Sequence, residues 1–149
     1  MSTVKQLWEL PALSIRQPWA ELIVRGHKDV ENRTWRHSYR GPVLIHAGHK
    51  SELDVAGSFV AELIRADRIG LAAGSFLLDG VWSLAAVVGV AEITDCVPQS
   101  DSPWFVGPFG FTLKNARKLP SVRCRGMLGF FNPAPEERAR MQAAWMGKT

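Results

Sequence analysis

The stretch from Leu13 to Trp35 constrains the fold of this 149-residue chain more than any other segment does. It reads LSIRQPWAELIVRGHKDVENRTW, so apolar residues able to form a short helix stand among charged residues and tryptophans. Pro18 suits the first turn of a helix, and Gly26 stands where a left-handed C-cap is expected. The pattern predicts a short strand over 12–15, a helix over 19–25 and then a turn into an extended segment.

The extended segment, residues 30–35, carries a polar pattern that is unusual for a buried strand. Side chains alternate between the faces of a strand, so Glu31, Arg33 and Trp35 share one face. With Lys28 they complete the spacing G-x-K-x-x-E-x-R, which predicts a shaped polar cleft. A lysine beside a carboxylate can act as a base or proton shuttle, and an arginine can hold a phosphate or a carbonyl oxygen. The competing interpretation is a structural ion-pair cluster that ties the turn to the strand.

The middle of the chain predicts one buried strand and one amphipathic helix. Residues 43–47, VLIHA, read as the strand. Ser51 is expected as the N-cap of a helix that runs to about Asp67, because acidic residues follow it and apolar residues then recur at helical spacing. Residues 68–80 are rich in glycine and alanine and are expected to form a loop, with a short helical turn as the alternative.

The C-terminal half predicts mainly strands. Val81 to Thr94 is expected to be the central strand, with a bulge or a close backbone approach at Gly89. The later elements are predicted as a loop, two strands and a helix, in the order Asp95 to Pro108, Phe109 to Leu113, Arg123 to Phe131 and Pro135 to Met146. Strands with a few interspersed helices predict an α+β fold, a small, partly closed mixed β-barrel with flanking helices. We expect one domain over 1–149, with a tail at 1–11 and a C-terminal helix at about 135–146.

Charge is distributed in blocks along the chain, whose net charge is +4. Lysine and arginine outnumber acids in residues 1–50 and 101–149, whereas acids dominate residues 51–100. If the two basic ends converge, they form a surface suited to phosphates; the competing interpretation is charge balance for solubility.

Cysteine usage and hydropathy indicate the compartment. Cys96 and Cys124 lack metal-site or disulfide spacing, so we expect no metal and no cofactor. The chain has no signal-peptide pattern, and the apolar run over 81–90 is too short to span a bilayer. A reducing cytoplasm is therefore the expected location.

A second candidate constellation stands at the predicted junction of strand and helix. It comprises Ser14, Arg16, Gln17 and Trp19, where outward backbone N–H groups would attract anions. Trp19 or Trp104 could stack a nucleobase. Because Trp19 stands on the helix, we expect it to be a core anchor, so Trp104, in the loop sequence PWFVGPFG, is the preferred stacking candidate.

Three further features complete the candidate site. Arg40, in the loop before the buried strand, is a candidate binding residue. His46 at the end of that strand could act in acid/base catalysis, or could be a satisfied core residue. A basic strip in the C-terminal part would suit a phosphate backbone, or could be a solvated face; its members are Lys114, Arg117, Lys118, Arg123 and Arg125. No serine elbow, Walker loop, dinucleotide fingerprint or HExxH motif occurs.

The stretch LSIRQPWAELIVRGHKDVENRTW, followed by YRGPVLIHA, resembles the ASCH domain family, named for activating signal cointegrator 1 homology and related to the PUA-like fold. The later segments GPFGFTLKNARKLP and GMLGFF resemble the C-terminal strands of single-domain members, so the resemblance covers most of residues 12–132. It implies a PUA-like β-barrel with a cleft between barrel and helices, and RNA or another nucleic acid as partner. Some small members are amidohydrolases that deacylate N4-acetylcytidine with a lysine corresponding to Lys28, a threonine and a glutamate, and ribonuclease activity is also reported in the family. Glu31 occupies the place of the threonine, and the glutamate has no clear counterpart.

These patterns support three hypotheses. The first is a module that binds RNA, single-stranded nucleic acid or a nucleoside, in which Lys28, Arg33 and Arg16 contact phosphates or base edges. The second is a hydrolase of acylated cytidine or of RNA, with Lys28 and Glu31 as the catalytic pair. The third is a protein-interaction adaptor. The sequence leaves the oligomeric state open.

Overall fold

The computed structural model describes residues 5–146. Four α-helices, a 3-10 helix and six strands follow one another along the chain. The strands are β1 (Ala12–Gln17), β2 (Val30–Arg33), β3 (Gly41–Ser51), β4 (Ala86–Val97), β5 (Phe109–Arg123) and β6 (Phe130–Phe131). The α-helices are α1 (Trp19–Val24), α2 (Leu53–Arg65), α3 (Ala72–Asp79) and α4 (Pro135–Trp145), and the 3-10 helix is Leu7–Glu9.

All six strands form one sheet in the order β2-β5-β4-β3-β1-β6. Within the described residues, β1 and β3 are the one parallel pair, and the other neighbours run antiparallel. The sheet curls into a half-barrel. The prediction of an α+β fold with a mixed, partly closed barrel is confirmed.

Both faces of the sheet are covered, which explains why the strand VLIHA of β3 is buried on both sides. One face packs against α1 through a cluster that includes Leu13, Ile45 and Ile23. The other face packs against α4, where Met141 and Trp145 are fully buried. Helix α1 has only six residues, so its stability comes from this burial rather than from helix propensity.

The two ends of the sheet approach each other without pairing. Trp35, just after β2, lies 6.1 Å from Phe130 of β6 between ring centroids, and Phe111 of β5 lies 5.9 Å from the same ring. Arg33 Nη2 at the end of β2 donates a hydrogen bond of 2.7 Å to the Ser14 carbonyl oxygen of β1. These contacts leave a seam between β2 and β1 that side chains bridge and that backbone pairing does not close.

The start of α2 differs from the sequence prediction. Ser51 is the last residue of β3, and the N-cap is Glu52, whose side chain makes no capping hydrogen bond. The prediction of Ser51 as N-cap is therefore wrong, because pairing with β1 extends β3 through that residue. Part of the expected loop over 68–80 is α3.

The strand bounds differ most in the C-terminal half. The first predicted strand, Phe109 to Leu113, continues as one long strand to Arg123, since pairing with β4 carries β5 through the polar residues. The prediction of a second strand over Arg123 to Phe131 is wrong, because residues 124–129 form a loop and only Phe130–Phe131 pair with β1. Residues 81–85 precede β4, and β4 continues to Val97. In the expected tail, residues 1–4 lie outside the described part, whereas Leu10 is buried and its carbonyl oxygen accepts a hydrogen bond from Arg138.

Gly89 confirms the predicted bulge and close backbone approach. The register between β4 and β5 shifts between Val87 and Gly89. A Cβ at Gly89 would overlap the Arg117 carbonyl oxygen and would lie 2.6 Å from Val24 Cγ1 of α1. The absence of a side chain is therefore what lets α1 and β5 pack against β4.

We expect Gly89→Ala to lower the free energy of unfolding by about 1–3 kcal/mol, the usual cost of overpacking a core. Urea denaturation followed by circular dichroism measures it. Gly57→Ala is the matched control, because a Cβ at Gly57 in α2 meets nothing within 4 Å; it should stabilise by about 0.5–1 kcal/mol. Equal effects of the two substitutions would contradict the packing described for Gly89.

Candidate functional site

A cleft of about 860 Å³ lies at the seam between β1 and β2, bordered by α1, the start of α2 and the loop before β6. Its size is typical of pockets that hold small molecules or single nucleotides. Lysines and arginines outnumber carboxylates in its lining by four to two. The charged lining residues are Arg16, Lys28, Arg33, Lys50, Glu31 and Glu52, and Trp19, Trp35 and Phe59 supply aromatic walls.

Lys28, Glu31 and Arg33 form one continuous chain of contacts on the cleft wall. Lys28 Nζ donates to Glu31 Oε1 at 3.0 Å and to the Val30 carbonyl oxygen, and Arg33 Nε donates to Glu31 Oε2 at 3.1 Å. Lys28 is 4% exposed and Glu31 is 8% exposed. The predicted grouping of these three residues is therefore present, and both oxygens of Glu31 have a cationic partner.

Backbone geometry explains why these residues converge. Gly26 has φ of +85°, so it ends α1 in the left-handed conformation that its sequence position predicts. The backbone N–H groups of His27 and Lys28 then bond back to the Leu22 carbonyl oxygen at 2.9 and 3.0 Å. This tight turn places Lys28 beside the start of β2, where Glu31 follows.

Glu52 joins two of the predicted residues, and sequence reasoning did not select it. Its Oε2 accepts from Arg16 Nη1 at 2.9 Å, and its Oε1 accepts from Trp19 Nε1 at 2.9 Å. The Trp19 ring in turn lies 5.6 Å from Lys28 Nζ and packs edge-on against Phe59. Sequence showed Glu52 only as an acidic residue near a helix start, because its contacts join positions more than 30 residues apart.

Ser14 and His46 form a second polar pair at the edge of the cleft. Ser14 lines the cleft, and its Oγ lies 3.1 Å from His46 Nδ1. His46 Nε2 lies 2.7 Å from the Cys124 carbonyl oxygen, which can only accept, so Nε2 carries the proton and Nδ1 accepts from Ser14. Burial lowers the pKa of His46 below its usual value, although the Cys124 carbonyl and the Glu137 carboxylate oppose this shift. His46 is 1% exposed and lies behind Ser14.

Three predicted binding residues do not line the cleft: His46, described above, Gln17 and Arg40. Gln17 is fully buried; its Oε1 accepts from the Glu21 backbone N–H and its Nε2 donates to the Ser83 carbonyl oxygen. The helix N-terminus is thus capped from within and offers no open anion site. Arg40 lies outside the cleft and pairs with Asp95 at 3.3 Å.

Trp104 is 3% exposed, and its ring packs in a core cluster with Leu22 and Val60. It borders the cleft, but its low exposure leaves little ring surface for a base to stack on. Of the two tryptophans, Trp19 is therefore the more exposed, contrary to the expectation that it is the core anchor. The loop around Trp104 is held inward by Asn32, whose Nδ2 donates to the Trp104 carbonyl oxygen and whose Oδ1 accepts from Val106 N–H.

The predicted basic strip does not extend the cleft, since none of its five members lines it. Lys114 pairs with Glu92 at 3.7 Å, and Lys118 pairs with the buried Glu21 at 2.6 Å. The C-terminal part instead contributes apolar residues, Met127 and Leu128, to the mouth of the cleft. The two basic ends of the chain therefore do not converge at this site.

Among residues 5–146, no three histidine, cysteine, aspartate or glutamate side chains are grouped closely enough to hold a metal ion. No helix in that part of the chain has the length and apolar character required to cross a bilayer.

A curled α+β half-barrel with a cleft at its open seam is consistent with a PUA-like fold. The family model of the ASCH domain matches residues 13–105, and the chain belongs to this family. The match includes the whole Lys28, Glu31 and Arg33 constellation, so the resemblance inferred from the sequence is confirmed.

Curated relatives share the family but are much longer. The chain is 30% identical over 115 residues to human activating signal cointegrator 1, an alignment that covers 72% of this chain and 19% of that protein. With the mouse protein of the same name it is 33% identical over 87 residues, covering 58% and 14% respectively. The chain thus spans about a fifth or less of the length of the curated relatives it matches.

Solved structures support the fold. The crystal structure of the ASCH protein from Zymomonas mobilis superimposes with a TM-score of 0.52 at 12% identity and covers 91% of this chain and 95% of that one. A mutant of the same protein gives a TM-score of 0.53 at 13% identity, with 89% and 94% covered. At this level of identity the likeness concerns the fold alone.

Removing Glu31 should expose how the buried ion pairs contribute to stability. We expect Glu31→Leu to lower the free energy of unfolding by about 3–5 kcal/mol, because it leaves the Lys28 ammonium buried without its charged partner. Adding Lys28→Met to that variant should recover about 1 kcal/mol or more. Chemical denaturation of the two single variants and the double variant measures this coupling. Additive losses would show that Lys28 and Glu31 are energetically independent.

His46 should make stability depend on pH. The pKa of His46 is lowered in the folded state. As pH falls through 6.5, this histidine therefore takes up a proton in the unfolded chain but stays neutral in the folded chain. The free energy of unfolding should therefore fall as pH drops below 6.5, and His46→Gln should reduce that fall. Urea titrations between pH 8 and 5 measure the slope. His27, whose pKa is lowered by burial and by Arg25, needs a parallel His27→Gln control. An unchanged slope in His46→Gln would contradict the assignment.

Proposed function

We propose that this chain is a nucleic-acid-binding ASCH domain whose cleft takes one unpaired nucleotide of RNA or of another single strand. The observation that carries the proposal is the meeting of fixed cations, a paired carboxylate and aromatic rings in one open cleft of nucleotide size. ASCH domains are associated with nucleic acids in general, which supports this class of ligand. We propose that the whole chain, 1–149, acts as this one domain in the cytoplasm, and the buried, unpaired Cys96 and Cys124 fit a reducing compartment.

Each part of the cleft has a role in this proposal. Trp19, held by Glu52, offers its ring to a base, and such stacking is worth about 1–3 kcal/mol per base. The Glu31 carboxylate is positioned to accept from an exocyclic amino group of the base, as carboxylates do from cytosine. Arg16 and Lys50, both exposed at the mouth, are placed to contact the flanking phosphates.

Hydrolysis through Lys28 and Glu31 is the less favoured use of the same cleft. The Lys28 ammonium already donates to Glu31 and to Val30, and Glu31 also holds Arg33. Groups locked in mutual ion pairs present a rigid surface for recognition, whereas proton transfer requires a partner that can release its proton. Turnover of N4-acetylcytidine that disappears in Lys28→Met would reverse this preference.

Binding should depend on salt and on the cations of the cleft. We expect the affinity for a labelled single-stranded RNA to fall steeply between 50 and 200 mM salt. Arg16→Ala and Lys50→Ala should each weaken binding and lower the slope of log K against log salt by about 0.7, the value for one lost phosphate contact. Fluorescence anisotropy over a salt series measures both quantities.

The matched controls are Lys114→Ala and Arg117→Ala, which remove exposed cations of β5 that lie outside the cleft. These variants should bind RNA as the parent does. If they weaken binding as much as Arg16→Ala does, the nucleic acid follows the basic strip and the cleft is not its site. Affinity that is independent of salt would overturn the proposal altogether.

A further inference from the structure

Ser14 and His46 place a hydroxyl beside an imidazole that can accept its proton. The proposed nucleic-acid recognition assigns no role to this pair. The Ser14 hydroxyl donates to His46 Nδ1 across 3.1 Å, and the opposite ring nitrogen is held by the Cys124 carbonyl oxygen at 2.7 Å. This orientation fixes the tautomer in which Nδ1 can take a proton from serine. A nucleophile, a base and a group that orients the base are the elements of serine-based catalysis.

We propose that Ser14 is a nucleophile activated by His46, and that the cleft hydrolyses small acyl esters of aromatic alcohols. This activity goes beyond the proposed function and shares only its cleft. In this reaction Ser14 accepts the acyl group, and the aromatic leaving group lies against the ring walls of the cleft.

The space beside the Ser14 hydroxyl sets the size of the acyl group. A Cβ at Gly48 would lie 3.7 Å from Ser14 Oγ, so glycine keeps the approach to that oxygen open. The space is suited to a small acyl group such as acetyl. Trp19 and Trp35 line the same cleft and can receive a planar leaving group.

Arg33 supplies positive charge next to the nucleophile. Its Nη2 is held 2.7 Å from the Ser14 carbonyl oxygen, which fixes the guanidinium beside this residue on the cleft wall. A cation fixed in advance near a reacting carbonyl stabilises the negative charge that develops on its oxygen. Arg33 also donates to Glu31, so its position does not depend on the ligand.

The surroundings of His46 favour its role as a base. Burial lowers its pKa, so the neutral ring that accepts a proton predominates at pH 7. The Glu137 carboxylate and the Cys124 carbonyl oxygen then stabilise the imidazolium once it forms. Gly126 allows the loop before β6 to cover the ring, because a Cβ there would lie 2.9 Å from Nδ1.

The reaction balances without a cofactor. Ser14 Oγ attacks the acyl carbon and its proton moves to His46 Nδ1. The bond from the acyl carbon to the aryl oxygen then breaks; the alcohol leaves with that proton, or it leaves as its anion and His46 releases the proton to solvent. Water next attacks the acyl-serine ester and loses a proton to His46 Nδ1; His46 returns this proton to Ser14 Oγ as the ester bond breaks, which releases the carboxylic acid and free Ser14.

The test uses p-nitrophenyl acetate as substrate and a fluorophosphonate as a covalent probe of activated serines. The full chain should release nitrophenolate in a burst stoichiometric with protein, and mass spectrometry should find the acetyl group on Ser14. Ser14→Ala should abolish the burst and the labelling. His46→Gln, which lacks the base, should slow acylation by about 100-fold to 10,000-fold. Ser58→Ala, at an exposed serine on α2, should behave like the parent.

The outcomes separate this proposal from nucleic-acid binding. Circular dichroism and RNA affinity are measured on each variant, so a folded Ser14→Ala protein that binds RNA but has lost the burst supports the nucleophile. An unchanged rate in folded Ser14→Ala, or acetyl groups found only on lysines, overturns it whether or not RNA binds. RNA affinity that is unchanged in Arg16→Ala and Lys50→Ala, together with an intact burst in the parent chain, would instead refute the proposed function alone.

Discussion

The hydrogen bond from Arg33 to the Ser14 carbonyl oxygen, 2.7 Å long, is the contact on which the site depends. It joins β2, at one end of the sheet, to β1, near the other end, where no backbone pairing connects them. The guanidinium also donates to Glu31, which in turn accepts from Lys28. The contacts that bridge the two ends of the sheet therefore also form the wall of the cleft. The cleft therefore exists because a side chain, rather than a strand, spans the seam.

The pairing of charges along this wall has a physical consequence for recognition. Burying a charge is costly unless partners compensate it, and here each buried ionic group meets an opposite charge. Groups held in this way keep their orientation when a ligand enters, so little reorganisation accompanies binding. Glu52 likewise fixes the orientation of Arg16 and Trp19 by accepting a hydrogen bond from each.

Local patterns predicted the parts of the site that lie close together in the chain. Gly26 and the alternation along β2 placed Lys28, Glu31 and Arg33 together, because a tight turn and a strand obey rules that act over a few residues. Trp104 shows where such rules fail: a loop rich in proline and glycine suggested exposure, yet long-range packing buries the ring. The continuity of β5 was missed for a related reason, since pairing with β4 outweighs the local signals for a loop.

The sequence by itself determined the α+β class, the ASCH resemblance, the bulge at Gly89 and the constellation of Lys28, Glu31 and Arg33, because each rests on local geometry or a contiguous motif. Tertiary structure alone decided that Glu52 joins Arg16 to Trp19, and that Ser14 meets His46. Those pairs are 36, 33 and 32 residues apart and come together through the parallel register of β1 and β3 and the helix that follows. Such contacts depend on which strands become neighbours, and strand order is a property of the whole chain rather than of any segment.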